Sequence, residues 1–363
     1  MDNPSNYKII NIRSDSGREP KASVLLIYTG GTIGMSYDES GSLVPFNFGH
    51  IIEKISYLKG YNLKITAISF PKPIDSSNIK LDHWNDLAYI IYENYDSYDG
   101  FVVLHGTDTM AYSASALSFM LEGLNKPVIF TGAQLPIGAA RSDARENLIT
   151  ALDIASLKKQ NRSVVSEVCI YFNYLLLRGN RSKKVESQHF NAFESENYPP
   201  LAEAGVEIDY NYAALKPYLP DEQLGYKKIV DTNVAILKIF PGMTPQVVES
   251  ILSIEGLKGV VMETYGAGNA PSESWFFDYL ERAIKKDIII FNVSQCMGGK
   301  VIQGRYQTSK TLDNIGVLSG NDITTEAAIT KMMYLFSNRE SSENIRKRLV
   351  TPLRGEMTET NFN

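Results

Sequence analysis

Three segments of this 363-residue chain place hydroxyl, carboxylate and amide groups directly after short apolar runs. The first is Thr29-Gly30-Gly31-Thr32-Ile33-Gly34, where paired glycines permit a tight turn and close backbone approach, and Thr32 presents a hydroxyl. A hydroxyl attacks a carbonyl carbon once a base takes its proton. The second is His105-Gly106-Thr107-Asp108-Thr109-Met110, and the third is Thr131-Gly132-Ala133-Gln134. Taken alone, the Gly-Gly turn is better read as a simple change of direction than as a phosphate cradle. It lacks the Lys-Ser/Thr ending or third spaced glycine of the nucleotide-binding fingerprints. The second segment is more specific, because a carboxylate beside a hydroxyl at a helix start has no packing purpose. An N-cap accounts for one of its three polar side chains, and the first helical N–H groups suit an anion.

The elements that must position these groups alternate. Val24–Tyr28, Leu63–Ser69, Phe101–Leu104, Val128–Phe130 and Val168–Phe172 are short runs rich in β-branched and aromatic residues, and Val234–Phe240, Gly259–Met262 and Ile288–Val293 repeat the pattern. Helical spacing falls between them. Asp82 is the expected N-cap of a helix through Tyr95, Met110 to Leu124 is stopped by Gly123 and Pro127, and a third helix runs from about Ser142 to Leu157. Later helical periods cover Pro245–Ile254, Ser272–Lys285 and Thr324–Phe336. Such alternation specifies an α/β fold: a larger N-terminal domain with a parallel-rich, doubly wound sheet, then a smaller C-terminal α/β domain. The expected boundaries are a disordered polar leader over 1–23, a catalytic domain over 24–205, a proline- and tyrosine-rich linker over 206–230 and the second domain over 231–363. In open sheets of this kind, ligands bind beyond the carboxyl ends of the parallel strands, where the three segments lie.

Composition narrows the class. With 44% hydrophobic and 21% charged residues the chain reads as packed and globular, neither disordered nor fibrous. A net charge of −5 offers no field for nucleic acid or anionic lipid, so a small molecule or another protein is the expected partner. No run approaches the roughly 20 apolar residues that span a bilayer, and the polar start lacks an apolar signal core. Cys169 and Cys296 are too few for a disulfide scaffold and are expected to be reduced and buried, as in a cytoplasmic protein. His50, His83, His105 and His189 lack ligand spacing, so no metal is expected, and His105 is expected to be a packing residue.

Tyr28 to Met35, Asp75-Ser76-Ser77 and the run from Asp99 through His105-Gly106-Thr107-Asp108-Thr109-Met110 to Leu121 resemble the bacterial L-asparaginase family. Arg178-Gly179-Asn180-Arg181, Tyr265-Gly266-Ala267-Gly268-Asn269-Ala270-Pro271 and Gln295-Cys296-Met297 resemble its cytoplasmic type I branch, and the likeness covers nearly everything from Val24 to Arg354. The resemblance implies hydrolysis of L-asparagine to aspartate and ammonia through a threonine acyl-enzyme, with neither metal nor organic cofactor. On that basis Thr32 is the nucleophile. Thr107, Asp108 and Lys184 form a second catalytic group in which a neutral lysine receives a proton through the threonine. Asp108 also binds the substrate α-ammonium, Ser76 and Ser77 bind its α-carboxylate, and Asn269 of a neighbouring subunit completes the site. A homodimer or homotetramer follows from that last contribution. The Arg-Gly-Asn-Arg anchor sets the register at Lys184 and not at Lys183.

Two departures from the family pattern bear on mechanism and control. Ser42 stands where many members carry the tyrosine that helps activate the first threonine, with Tyr37 nearby. Glu263 and Lys183 stand where the resemblance leads one to expect an effector-binding arginine and a threonine, so an asparagine-operated switch should be absent or use a different effector site, with Lys183 able to pair with Glu263 or to bind an effector carboxylate itself. Two rival readings share some of these features. The amidase subunit of a tRNA-dependent amidotransferase has the same motifs but would carry an added N-terminal domain, and a non-catalytic amino-acid-binding protein would not need Thr32, Asp108 and Lys184 together.

Overall fold

Residues 7–12, 19–37, 43–45, 62–304 and 307–359 are described by a computed structural model of the chain. It divides into two compact units: residues 1–195 with 199–227, and residues 196–198 with 228–363.

The first unit is built on a nine-stranded sheet among the described residues. Its strands are β1 (Lys8–Ile12), β2 (Ala22–Gly30), β3 (Leu63–Ile74), β4 (Gly100–Leu104), β5 (Val128–Thr131), β6 (Val168–Phe172), β7 (Leu175–Arg178), β8 (Ala202–Ala204) and β9 (Ile208–Tyr210). They lie in the order β1-β3-β2-β4-β5-β6-β7-β8-β9. β3, β2, β4, β5 and β6 are mutually parallel, while β1 and β7 to β9 are antiparallel additions at the two edges. The parallel strands are covered on both faces, so Val24 to Tyr28, Phe101 to Leu104 and Val128 to Phe130 are all buried and read as unbroken apolar runs. Helices α1 (Leu81–Asn94), α2 (Met110–Met120) and α3 (Ala144–Ser156) fall between strands. All of α2 except Tyr112 is buried, and its small Ala111, Ser113, Ala114, Ser115, Ala116 and Ser118 let neighbouring elements approach closely.

Four local expectations change. Residues 8–12, read as part of a polar leader, pair antiparallel with β3, and β2 begins at Ala22. An edge strand with Ile9 exposed carries a weaker apolar signal than a central one. The N-cap of α1 is Lys80 and Asp82 lies within the first turn, and α2 ends at Met120, ahead of Gly123. The 206–230 stretch, read as a linker, contributes β9, and its Gly225–Tyr226 segment pairs with Leu121–Glu122. Long-range polar bonds fix that stretch. The Arg178 guanidinium donates to Glu167 and to the Ala214 carbonyl, Glu167 accepts from Lys216 N, and Asn125 bonds to both Leu219 and Glu222.

The second unit has a parallel sheet in the order β10 (Val234–Lys238), β11 (Gly259–Thr264), β12 (Ile289–Ser294) and β13 (Leu318–Ser319). With α4 (Pro245–Leu252), α5 (Ser274–Lys285) and α6 (Gln307–Asn314) it encloses a core that includes Leu237, Val248, Val260, Phe276, Leu280 and Leu312. Helices α7 (Thr325–Ser337) and α8 (Ser342–Leu349) follow. Lys331 of α7 is completely buried, pairs with the equally buried Glu356 at 2.6 Å, and donates to the carbonyls of Leu349 and Thr351. The architecture is thus a two-domain α/β fold, with a larger mixed sheet rich in parallel strands and a smaller parallel-sheet domain. Among the described residues no helix is long and apolar enough to cross a membrane.

Candidate active site

The chain leaves β2 toward β3 on one side and returns to β4 on the other, so the crevice beyond these strand ends is a topological switch point. The loops there interlock through glycine. Gly31 has φ +88°, and a Cβ on it would lie 2.5 Å from the Gly106 nitrogen; a Cβ on Gly106 would lie 2.5 Å from Ser76 Oγ. No larger residue fits at either position without moving backbone. The post-β2, post-β3 and post-β4 segments are thereby held in mutual contact.

Thr107 and Asp108 leave β4 just ahead of α2, whose N-cap is Thr109. Lys184 comes from a two-residue strand, Lys183–Lys184, paired with Phe193–Glu194. Its Nζ donates to Thr107 Oγ1 at 2.7 Å and to Asp108 Oδ1 at 2.6 Å, both short, charge-assisted bonds. Strand alternation sends the Lys183 side chain the other way. Thr107 Oγ1 also lies 3.5 Å from Gln134 Oε1, and Gln134 is fixed by its Nε2 on the His189 carbonyl and its backbone N–H on Asp143. The Lys184 side chain is 19% exposed and that of Asp108 63%, so the amine is sheltered while the carboxylate faces outward. A hydroxyl gripped by an amine, beside an open carboxylate, can pass a proton and seat a cation.

Ser76 opens a 3₁₀ turn that Asp75 caps by accepting from Ser77 N. Ser76 is buried and Ser77 exposed, and the Ser76 carbonyl accepts from Thr109 Oγ1 at 2.8 Å. Thr32 begins the 3₁₀ turn Thr32–Gly34 and is partly exposed. Beneath that turn the Tyr28 hydroxyl donates to the Gly34 carbonyl, and burial raises its pKa, keeping the phenol protonated. A cavity of about 460 Å³ opens beside Gly31, bounded also by Met35, Ile74, Asp75 and His83. The first unit therefore brings Thr107, Asp108 and Lys184 into direct contact and sets Ser76 and the Thr32 turn on adjoining loops. Ser42 lies outside the described residues.

Asn269 belongs to the second unit, where it closes a turn after β11 by exchanging backbone bonds with Tyr265. Glu263 does not wait for Lys183. Lys238, its register neighbour on β10, reaches Glu263 Oε2 at 3.1 Å, and Thr325 donates to Oε1 at 2.6 Å. Adjacent positions of a parallel ladder share a face, which is why this neighbour supplies the charge. Cys169 is buried as expected, but Cys296 is exposed in the segment after β12. Sequence reasoning assigned no role to Gln134 or Thr109. Both stand in the quoted motifs, but their partners, His189 and Ser76, are 55 and 33 residues away.

The family described as "Asparaginase, N-terminal" matches residues 23–216, and "Glutaminase/Asparaginase C-terminal domain" matches residues 233–349. The chain is 40% identical to L-asparaginase 1 of Escherichia coli (strain K12) over 342 residues, 93% of this chain and 98% of that protein. It is 39% identical to the 60 kDa lysophospholipase of Mus musculus over 93% of this chain and 63% of that protein. The crystal structure of L-asparaginase I from Vibrio cholerae superposes with a TM-score of 0.85 at 37% identity, covering 93% of this chain and 99% of that one. Both family segments match in order and together span most of the sequence, so this chain belongs to the asparaginase family of hydrolases.

Proposed function

We propose that this protein hydrolyses the side-chain amide of L-asparagine to L-aspartate and ammonia through an acyl-enzyme on Thr32. The observation that carries the reading is the Thr107 hydroxyl held by Lys184 Nζ at 2.7 Å next to the open carboxylate of Asp108. Asp108 seats the substrate α-ammonium, and Ser76 and Ser77 receive its α-carboxylate. The incoming ammonium competes with Lys184 for Asp108, and once the lysine has given its proton to solvent its free amine stands beside Thr107 as the proton acceptor. Thr32 Oγ attacks the amide carbon, and its proton passes to the base. The C–N bond then breaks, and nitrogen departs as ammonia after taking up a proton. Water attacks the resulting ester, releases aspartate and restores the Thr32 hydroxyl. Asn269 from the second domain of a neighbouring subunit completes the pocket, in a cytoplasmic homodimer or homotetramer.

The test is ammonia release by the purified protein with asparagine, with glutamine and with no substrate, alongside product release from a lysophospholipid. Asparagine should give ammonia at the highest kcat/KM, and Thr107→Val should lose at least a hundredfold. Turnover of the lysophospholipid with none of asparagine, or a folded Thr107→Val protein at wild-type rate, would overturn the reading.

A further inference from the structure

The His105 side chain is buried directly behind the catalytic segment, and its hydrogen bonds admit one consistent direction. Nδ1 lies 2.7 Å from the Gly106 carbonyl oxygen, which can only accept, so Nδ1 carries a proton. Nε2 lies 2.9 Å from Ser113 Oγ, and Ser113 Oγ lies 2.9 Å from Trp84 Nε1, an N–H that can only donate. Reading from both ends, the indole donates to the serine, the serine hydroxyl donates to Nε2, and Nδ1–H donates to Gly106. Each proton is donated once.

We propose that Trp84, Ser113 and His105 form a hydrogen-bonded brace that sets the Gly106–Thr107 peptide plane and so acts as a set of positioning residues for the hydrolysis proposed above. The carbonyl that His105 grips belongs to the same planar peptide unit as the Thr107 nitrogen. Trp84 stands on α1 and Ser113 on α2, so two helices fix the angle of that plane. At the other end of the segment Thr109 Oγ1 is spent on the Ser76 carbonyl at 2.8 Å. Gly106 has no slack, since it touches both Gly31 and Ser76. A tilt of this plane would therefore move Thr107 off Lys184 and press on the turn that carries Thr32. Misplacement of about 1 Å at such a point costs on the order of a hundredfold in rate. The brace also selects the neutral ring. A proton on Nε2 would force the buried Ser113 hydroxyl to find another acceptor, and burial already lowers the His105 pKa from 6.5 to about 4.

This inference rests on the proposed reaction, so wild-type turnover of asparagine is established first and judges that reading by itself. Ser113→Ala breaks the brace at its centre, Trp84→Phe removes one donor, and Ser118→Ala removes a buried serine on the same helix that donates to the Ala114 carbonyl within its own helix. Ser113→Ala should lower kcat tenfold or more with KM changed less than about threefold, Trp84→Phe should have a smaller effect of the same kind, and Ser118→Ala should leave kcat at wild type. Rates are referred to folded protein by circular dichroism. In ¹⁵N-histidine spectra of the whole wild-type protein, His105 should stay in the neutral Nδ1–H form from pH 8 to pH 5. An Nε2–H tautomer, titration near pH 6.5, or wild-type kcat in folded Ser113→Ala would overturn the brace.

Discussion

Two lysine–aspartate pairs stand at opposite ends of the same sheet. Beyond the carboxyl ends of the strands, Lys184 meets Asp108 at 2.6 Å; before their amino ends, Lys158 meets Asp99 at 2.9 Å. The distances are alike, and the surroundings are not. Asp99 also accepts from Ser23 N at 2.8 Å and Ser23 Oγ at 3.1 Å, which ties the start of β2 to the start of β4. Asp108 faces outward at 63% exposure against 30% for Asp99, and a hydroxyl shares its lysine. A pair whose oxygens are filled by its own chain serves the fold, whereas a pair that leaves capacity beside the Thr32 turn is open to a reactant.

The largest effect should come from exchanging the roles in that comparison. Lys184→Met is expected to lower kcat about ten-thousandfold, about 5 kcal/mol in the barrier, with the thermal midpoint within a few degrees of wild type. Lys183→Met, one residue away on the opposite strand face, should stay within about twofold. Steady-state rates and melting curves on the same preparations decide it. A dead Lys183→Met with an active Lys184→Met would reverse the assignment.

A second comparison sharpens the first by sealing the pair completely. Lys331 and Glu356 have no exposed surface and also lie 2.6 Å apart. Burial pushes the Glu356 carboxyl up, but the Lys331 charge and the N–H groups of Arg354 and Leu353 more than reverse this, leaving its pKa below the ordinary value. Lys331→Met strands a buried carboxylate and should cost about 3–5 kcal/mol of stability, read from denaturant unfolding. The double variant Lys331→Met with Glu356→Gln should recover part of that loss. If the single change costs less than about 1 kcal/mol, burial is not what separates this pair from Lys184–Asp108.

What the sequence made legible follows from the same physics. β2, β4 and β6 are buried on both faces, so their identity is written in contiguous apolar residues. β8 and β9 are short pieces near one edge, and the segment after them is held by Arg178, Glu167 and Asn125 reaching across the fold, bonds that no local period encodes. Thr107 and Asp108 stood out because their residue types are wasteful in a turn. Lys184 lies 77 residues from the threonine it touches, and only the resemblance of its motif picked it from two adjacent lysines. The Trp84–Ser113–His105 chain left no local signal, because each member taken singly reads as an ordinary core residue.

The smallest expected effect lies at the filled pair, and its pH dependence tests whether filling is what matters. Burial raises the Asp99 carboxyl, but the Ser23 N–H and the bonds from Lys158 outweigh it, so the folded pKa lies below the ordinary 3.8. A depressed carboxyl contributes stability that is fully present above the unfolded pKa and is lost as pH falls through the folded one. Asp99→Asn should therefore cost about 1 kcal/mol near neutrality, with wild-type turnover of asparagine, and should flatten the loss of stability below about pH 4. Lys158→Met should keep part of that acid slope, since Ser23 still donates twice to Asp99. Unfolding curves between pH 7 and pH 3 read both expectations. If Asp99→Asn instead lowered kcat while leaving the acid slope intact, openness would not distinguish the working pair from the structural one.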